Sequence, residues 1–270
     1  MKKVLGLFVL VALSLMVLSP VSFCAEKKTA CAFVRITTNL LGYNFIVKKV
    51  AQGVLKKTLK DTMDGDYKVK FDSFSGVDLK KGKFKALEIT GDNLSDGKMF
   101  LSHLDLKTTS DYNYVDYKKN PLVFKTDLPM DFNLEFTESD LNKNINEVAG
   151  VNFLCSVLPL VKIEKPTVKI EKDKIKLQSS LKMPLAKKVK FSMSSGLKVV
   201  DGKLALSNVE SSGSSDFAGK LVELVNKNSL LEEMNLPLFD NSETVLTVKN
   251  VSIKNKKVYI NGNLLIKKSE

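Results

Sequence analysis

Residues 128–147 place the tightest constraint on what this chain can fold into. Met130, Phe132, Leu134 and Phe136 alternate with Asp131, Asn133 and Glu135, the two-residue period of a strand with one buried and one solvated face. The period then changes. Thr137 stands three residues before Asp140, so its hydroxyl can cap the free amides of a helix start while the carboxylate favours the positive end of the helix dipole. Leu141, Ile145 and Val148 follow at helical spacing. A strand that runs into a capped helix at mid-chain, with alternating segments on both sides, predicts a curved sheet wrapped against helices. Such a fold is a container or binding surface before it is a catalytic site.

The N-terminus reads as a secretory signal. Lys2 and Lys3 precede a nearly unbroken apolar run over 4–18, followed by Ser19-Pro20 and the small-residue region Ser22-Phe23-Cys24-Ala25. Residues 1–24 are therefore expected to be a signal peptide, and 25–270 a secreted or periplasmic single domain; two sub-halves meeting near 130–150 are the alternative division. A spanning helix needs about 20 apolar residues, so a retained anchor is the second reading. Phe23 stands where a bacterial lipobox places a small residue, which argues against lipidation of Cys24. Cys31 and Cys155 could pair outside the cytoplasm, but two distant cysteines make no disulfide framework.

Charge narrows the partners. Lys2 and Lys3 account for two of the formal +12, which leaves +10 beyond the signal. Almost all of it is lysine, with Arg35 the single arginine, and that weighs against nucleic-acid reading, where bidentate arginine is the commonest specific contact. A dispersed lysine surface fits two readings: peripheral contact with an anionic membrane, and plain solubility.

Along the chain, a first amphipathic helix is expected from Thr38 or Asn39 to about Lys60. Leu41, Phe45, Val50 and Val54 lie on its apolar face, and Lys48, Lys49, Lys56 and Lys57 stand beside headgroups or in solvent. Strands follow over 67–71, 84–90 and 99–109, with Thr90-Gly91-Asp92-Asn93 read as a turn, and 111–120 as an edge strand or a loop. The apolar run 151–161, with Phe153, Leu154 and Leu158, is too short to span a bilayer and reads as a buried segment or the lining of a ligand groove. Strands return over 167–170, 174–181, 189–193, 197–200 and 203–209, with Lys172-Asp173 and Asp201-Gly202 as turns. A second long amphipathic helix is expected after residue 216, carrying Phe217, Leu221 and Leu224 on its apolar face, before a last hairpin over 244–253 and 257–266 that turns at Asn255-Lys256. No fixed-length repeat appears.

Four stretches together resemble the LmeA-like phospholipid-binding family of secreted bacterial proteins. They are Gly76-Val-Asp-Leu-Lys-Lys-Gly-Lys-Phe-Lys-Ala-Leu-Glu-Ile-Thr-Gly-Asp-Asn-Leu94, Phe136-Thr-Glu-Ser-Asp-Leu-Asn142, Val200-Asp-Gly-Lys-Leu-Ala-Leu206 and Val251-Ser-Ile-Lys-Asn-Lys-Lys-Val-Tyr-Ile-Asn-Gly262. The resemblance implies an α+β fold similar to tubular lipid-binding domains, a curved antiparallel sheet wrapped around long amphipathic helices. It also implies an apolar groove for the acyl chains of a phospholipid or other lipid, with no catalytic residue and no cofactor.

The residues themselves offer little chemistry. His103 is the single histidine and lies on an ordinary alternating strand; a convergent polar cluster around it would be needed for an enzyme reading. Metal-ligand spacing and a phosphate-cradling glycine loop are both missing from the sequence. Two functions from different classes are therefore carried forward. The first is an extracytoplasmic lipid binder, with Leu41, Phe45, Val50, Val54, Phe132, Leu134, Phe136, Leu141, Phe153, Leu154, Leu158, Phe217, Leu221 and Leu224 against the acyl chains. The second is an envelope scaffold whose apolar faces pack on one another. Oligomeric state is not legible in the chain.

Overall fold

The structure, a computed structural model, describes residues 42–97, 99–116, 123–147, 162–182, 189–212 and 244–269. In chain order its first half runs α1 (Tyr43–Thr62), β1 (Asp64–Asp72), α2 (Gly76–Lys80), β2 (Lys83–Phe84), β3 (Ala86–Ser95), β4 (Phe100–Thr108), β5 (Asn113–Asp116), β6 (Val123–Phe124) and β7 (Leu128–Thr137). Then come α3 (Glu138–Glu147), β8 (Lys162–Glu171), β9 (Lys174–Lys182), β10 (Val189–Val200), β11 (Lys203–Ser212), β12 (Thr244–Lys254) and β13 (Lys257–Ile266). The strands form a six-stranded sheet in the order β1-β3-β4-β7-β13-β12, a four-stranded sheet β11-β10-β9-β8 and a small sheet β2-β5-β6, and every pair is antiparallel.

Register explains the core. Leu104 stands opposite Leu134, which stands opposite Ile260; one row along, Leu106, Phe132 and Gly262 face each other. Because side chains on a strand alternate, these rows put every apolar residue of β7 on one face, where Met130, Phe132, Leu134 and Phe136 are fully buried. Val47, Ala51, Leu55 and Leu59 of α1 join the same cluster, as do Ile170 and Leu204 of the four-stranded sheet. Gly262 is required where it stands. A Cβ there would press on the carbonyl oxygen of Thr247 and come within 2.8 Å of the Phe132 ring.

The expected change of period at Thr137 is present in full. Asp140 N donates to Thr137 Oγ1 at 3.2 Å, while Asp140 Oδ2 accepts from Thr137 N at 2.8 Å and from its hydroxyl at 2.6 Å, a reciprocal cap with an aspartate in the third position. Ser102 on β4 also donates to that carboxylate. Here β7 leaves the six-stranded sheet, and side chains of α3 take over its pairing. Asn144 accepts from Phe100 N at 2.6 Å and donates to Phe100 O at 2.9 Å; Asn142 does the same for Val168 at 2.8 and 2.7 Å. Glu138 accepts from Ile170 N at 2.8 Å. Helix α3 thus connects β4 of one sheet to β8 of the other. A second junction forms where Val248 N donates to Gly202 O at 2.7 Å.

The fold differs from the expected one in its balance. Thirteen strands and three helices occupy the described residues, and no sheet wraps around a long helix. Among these helices α1 alone is long, at twenty residues, and it packs beside β1 and α2; the core is lined chiefly by strands. The physical reason is the two-residue period. Each long hairpin carries its own apolar face, and facing rows of side chains fill the interior that helices were expected to fill. The second long helix, with Phe217, Leu221 and Leu224, lies outside the described residues.

Local structure also differs from the expected one in two places. Thr90-Gly91-Asp92-Asn93 is not a turn: β3 continues through it, with Gly91 packed under the Tyr67 ring and Asn93 in a left-handed conformation beside the irregularity opposite Gly65 of β1. The two strands expected over 189–193 and 197–200 are one, β10. The turns at 172–173, 201–202 and 255–256 are all present. Asp201, Gly202, Asn255 and Lys256 take positive φ, the geometry of tight two-residue hairpins. Tyr67 ties α1 to β1 through its hydroxyl, which donates to Met63 O at 3.0 Å; burial, with Asp64 adding to it, pushes the phenol up to about 12.

Candidate functional site

Three surfaces carry enough chemistry to be weighed, beginning with the outward side of α1. Its inward stripe (Val47, Ala51, Leu55, Leu59) is closed against the core, so the residues between are left to solvent. At the first turn this exposes Phe45 (66 %) and Ile46 (53 %), beside Lys49, whose Nζ lies 5.6 Å from the centre of the Phe45 ring. Lys48 reaches Asp72 at 3.8 Å, and Lys56 and Lys57 are exposed further along the helix. An apolar pair flanked by cations is the composition of an interfacial helix face. Phe45, expected on the apolar stripe, sits on the opposite side of the helix. Ile46 was not singled out; an isoleucine between two stripe positions was the available signal.

The four-stranded sheet offers a second surface. Register places Val168, Leu177 and Met193 in one row and Ile170 and Ile175 in the next, with Leu197 opposite Leu206 and Val199 opposite Leu204. Val168, Ile170, Met193 and Leu204 are buried, whereas Ile175, Leu177, Leu197, Val199 and Leu206 are half-buried. The other face carries lysines, serines and the exposed pairs Lys174–Glu210 at 2.5 Å and Lys176–Glu171 at 3.5 Å. Ile175, Leu197 and Val199 pack against the closed core, and Leu177 and Leu206 continue the same apolar face beside them.

On the solvated face of the six-stranded sheet, His103 sits in the polar cluster that the enzyme reading requires. Its Nδ1 lies 2.6 Å from Asp92 Oδ1 and its Nε2 3.0 Å from Asp105 Oδ2; Thr90 donates to Asp105 at 2.9 Å. Cross-strand pairing causes this, because Asp92 stands opposite His103 and Thr90 opposite Asp105. Partial burial works against the charged ring, but the hydrogen bonds and attraction of the two carboxylates outweigh it and hold the imidazole pKa above the usual value near 6.5. A carboxylate on each nitrogen favours the doubly protonated ring, and among the described residues no hydroxyl or thiol is bonded to it. No group of His, Cys, Asp and Glu side chains among the described residues has the geometry to hold a metal.

This arrangement has a pH signature. With the folded value above the unfolded one, the stabilisation from the ring is complete below about 6.5 and is lost as pH rises through the folded value. An NMR titration of the His103 ring is therefore expected to have a midpoint above 6.5 that drops in Asp92→Asn; a midpoint below 6.5 would contradict the geometry.

The expected lipid-contacting residues are scattered by the structure. Phe132, Leu134 and Phe136 are in the closed core, and Val50, Val54 and Leu141 are partly buried against it. Leu41, Phe153, Leu154, Leu158, Phe217, Leu221 and Leu224 lie outside the described residues, as do Cys24, Cys31 and Cys155. No helix among the described residues is long and apolar enough to cross a membrane. Comparison of the chain with protein-family models, with curated proteins and with solved structures found no match in any of the three.

Proposed function

We propose that this protein is an extracytoplasmic lipid binder that holds the acyl chains of a phospholipid against the apolar face of the four-stranded sheet. One observation carries the reading: the half-buried Ile175, Leu177, Leu197, Val199 and Leu206 share one face of this sheet, continuous with the closed core through Ile170 and Leu204. Each CH₂ removed from water contributes about 0.8 kcal/mol, so an alkyl chain laid along this strip gains substantial free energy without any polar contact. Two apolar segments of the sequence adjoin this sheet in chain order. The apolar run 151–161 directly precedes β8, and the amphipathic pattern around Phe217, Leu221 and Leu224 falls between β11 and β12. The resemblance to LmeA-like proteins implies the same ligand class.

The test is purification of the protein without detergent, followed by mass spectrometry of what organic extraction releases. Stoichiometric phospholipid is the expected result, together with reduced uptake of a fluorescent fatty acid in Leu177→Gln. A folded, lipid-free protein that takes up no acyl chain would favour the envelope scaffold.

A further inference from the structure

The end of the molecule where α1 begins gathers features that the acyl-binding face does not use. Asn44 at the start of α1 accepts from Gly76 N of α2; Lys48 pairs with Asp72, whose carbonyl accepts from Lys85 N at 2.8 Å; and β2, which runs into Lys85, pairs with β5. The small sheet and the exposed Phe45 and Ile46 are therefore at the same end. Its inner face, Phe84, Asn113, Val115 and Phe124, is buried, so Lys83 and Tyr114, which stand opposite each other, project outward. Lys83 Nζ lies 5.0 Å from the centre of the Tyr114 ring, and Lys125, just past the end of β6, donates its backbone N–H to Tyr114 O at 2.9 Å. A second cation, Lys85, lies 5.6 Å from the Phe74 ring, which in turn touches Tyr112 at 5.9 Å. Gly82 O accepts from Val115 N, Ser269 N donates to Phe124 O and Lys268 N donates to Asp127 Oδ1, so Lys81, Lys267 and Lys268 extend the basic surface, which Asp72, Asp111, Asp116 and Asp127 border.

We infer that this end, with Phe45 and Ile46 inserted and Lys83, Lys85 and Lys125 over the headgroups, docks the protein on an anionic lipid bilayer. The inference rests on the lipid-binding reading, since a protein that loads acyl chains has to meet the surface that supplies them. The surface has the required chemistry. A tyrosine and a phenylalanine ring, each with a lysine amine over it, suit the layer where apolar and ionic groups meet, lysine stems lie along apolar surface while their amines stay in water, and Phe45 and Ile46 are exposed before any docking. A soluble polyanion would use the lysines but would leave an exposed phenylalanine and isoleucine with nothing to cover them.

Flotation of the full chain with phosphatidylcholine vesicles, with and without phosphatidylglycerol, tests the inference. Any contribution of residues 4–18 is common to all variants. Binding is expected to require phosphatidylglycerol and to weaken as salt rises. In Lys83→Gln/Lys125→Gln the partition onto anionic vesicles is expected to fall about twenty-five-fold, at about fivefold for each lysine. Phe45→Ser/Ile46→Ser is expected to reduce it about tenfold or more while keeping the salt dependence. Circular dichroism and melting temperature establish that both variants are folded. Wild-type binding that ignores phosphatidylglycerol and salt, or folded variants that float like wild type, would overturn the inference. So would saturation of the lysine surface by polyphosphate or single-stranded nucleic acid with no vesicle binding. Acyl uptake is read separately: flotation without uptake removes the acyl-binding reading and leaves docking, and uptake without flotation does the reverse.

Discussion

Phe132→Ala is expected to lower the unfolding free energy by about 3–5 kcal/mol, the usual cost of deleting a fully buried ring. A domain's whole stability is about 5–15 kcal/mol, so the loss should appear as a melting temperature lower by on the order of 10 °C. The ring is 1 % exposed and lies on β7, the strand between β4 and β13 in the six-stranded sheet. The neighbouring strands are held by their ladders to both sides, so the hole cannot collapse easily, which places the effect at the upper end of the range. Urea unfolding followed by circular dichroism measures it. A change below about 1 kcal/mol would mean that the ring borders a space open to solvent. The same variant should keep its acyl uptake while folded, because Phe132 contributes to the closed core and the proposed acyl strip is on the other sheet.

Gly262→Ala is expected to be nearly as damaging, at about 3 kcal/mol, for the opposite reason. The added methyl group has no room on either side. The carbonyl oxygen of Thr247 belongs to the backbone of β12 and cannot rotate away, and the Phe132 ring is fixed by its own neighbours. Relief requires β12 to separate from β13 next to the ladder irregularity between Val248 and Asn250. Val248 also holds Gly202, so this displacement would reach the turn between β10 and β11. Hydrogen exchange should localise it, with amides of β12 and β13 losing protection ahead of those of β3 and β4. Unchanged exchange in β12 would show that the two strands accommodate the methyl group without parting.

Local rules made much of this fold legible. Alternation in 128–137 gave the right strand and the right buried face, the spacing of Thr137 and Asp140 gave the helix start, and the residues at 172–173, 201–202 and 255–256 gave three hairpins. Pairing between distant segments was illegible. Nothing in β7 announces that the C-terminal hairpin will lie beside it, and Gly91 reads as turn chemistry until the Tyr67 ring of the neighbouring strand is seen to need its missing side chain. The preference for long helices in the core failed because helical periodicity shows that a segment is amphipathic without showing how much interior it fills. Candidate sites followed the same division. The lysines of α1 were legible as a basic face, whereas Lys83 and Tyr114 become neighbours only when β2 pairs with β5, and His103 acquires Asp92 only when β3 pairs with β4.

Side-chain amides in α3 do more than connect elements. β8 is the last strand of its sheet, and a last strand normally offers a free row of peptide N–H and C=O groups to any other extended chain. Asn142 presents the same donor and acceptor as a peptide group and occupies both positions at Val168, and Glu138 occupies the N–H of Ile170. At these residues the edge is already paired, by a helix that cannot itself pass the ladder on to a further strand. A lysine-rich chain built so heavily of strands thereby has part of one edge closed to the strand-by-strand growth of fibrils.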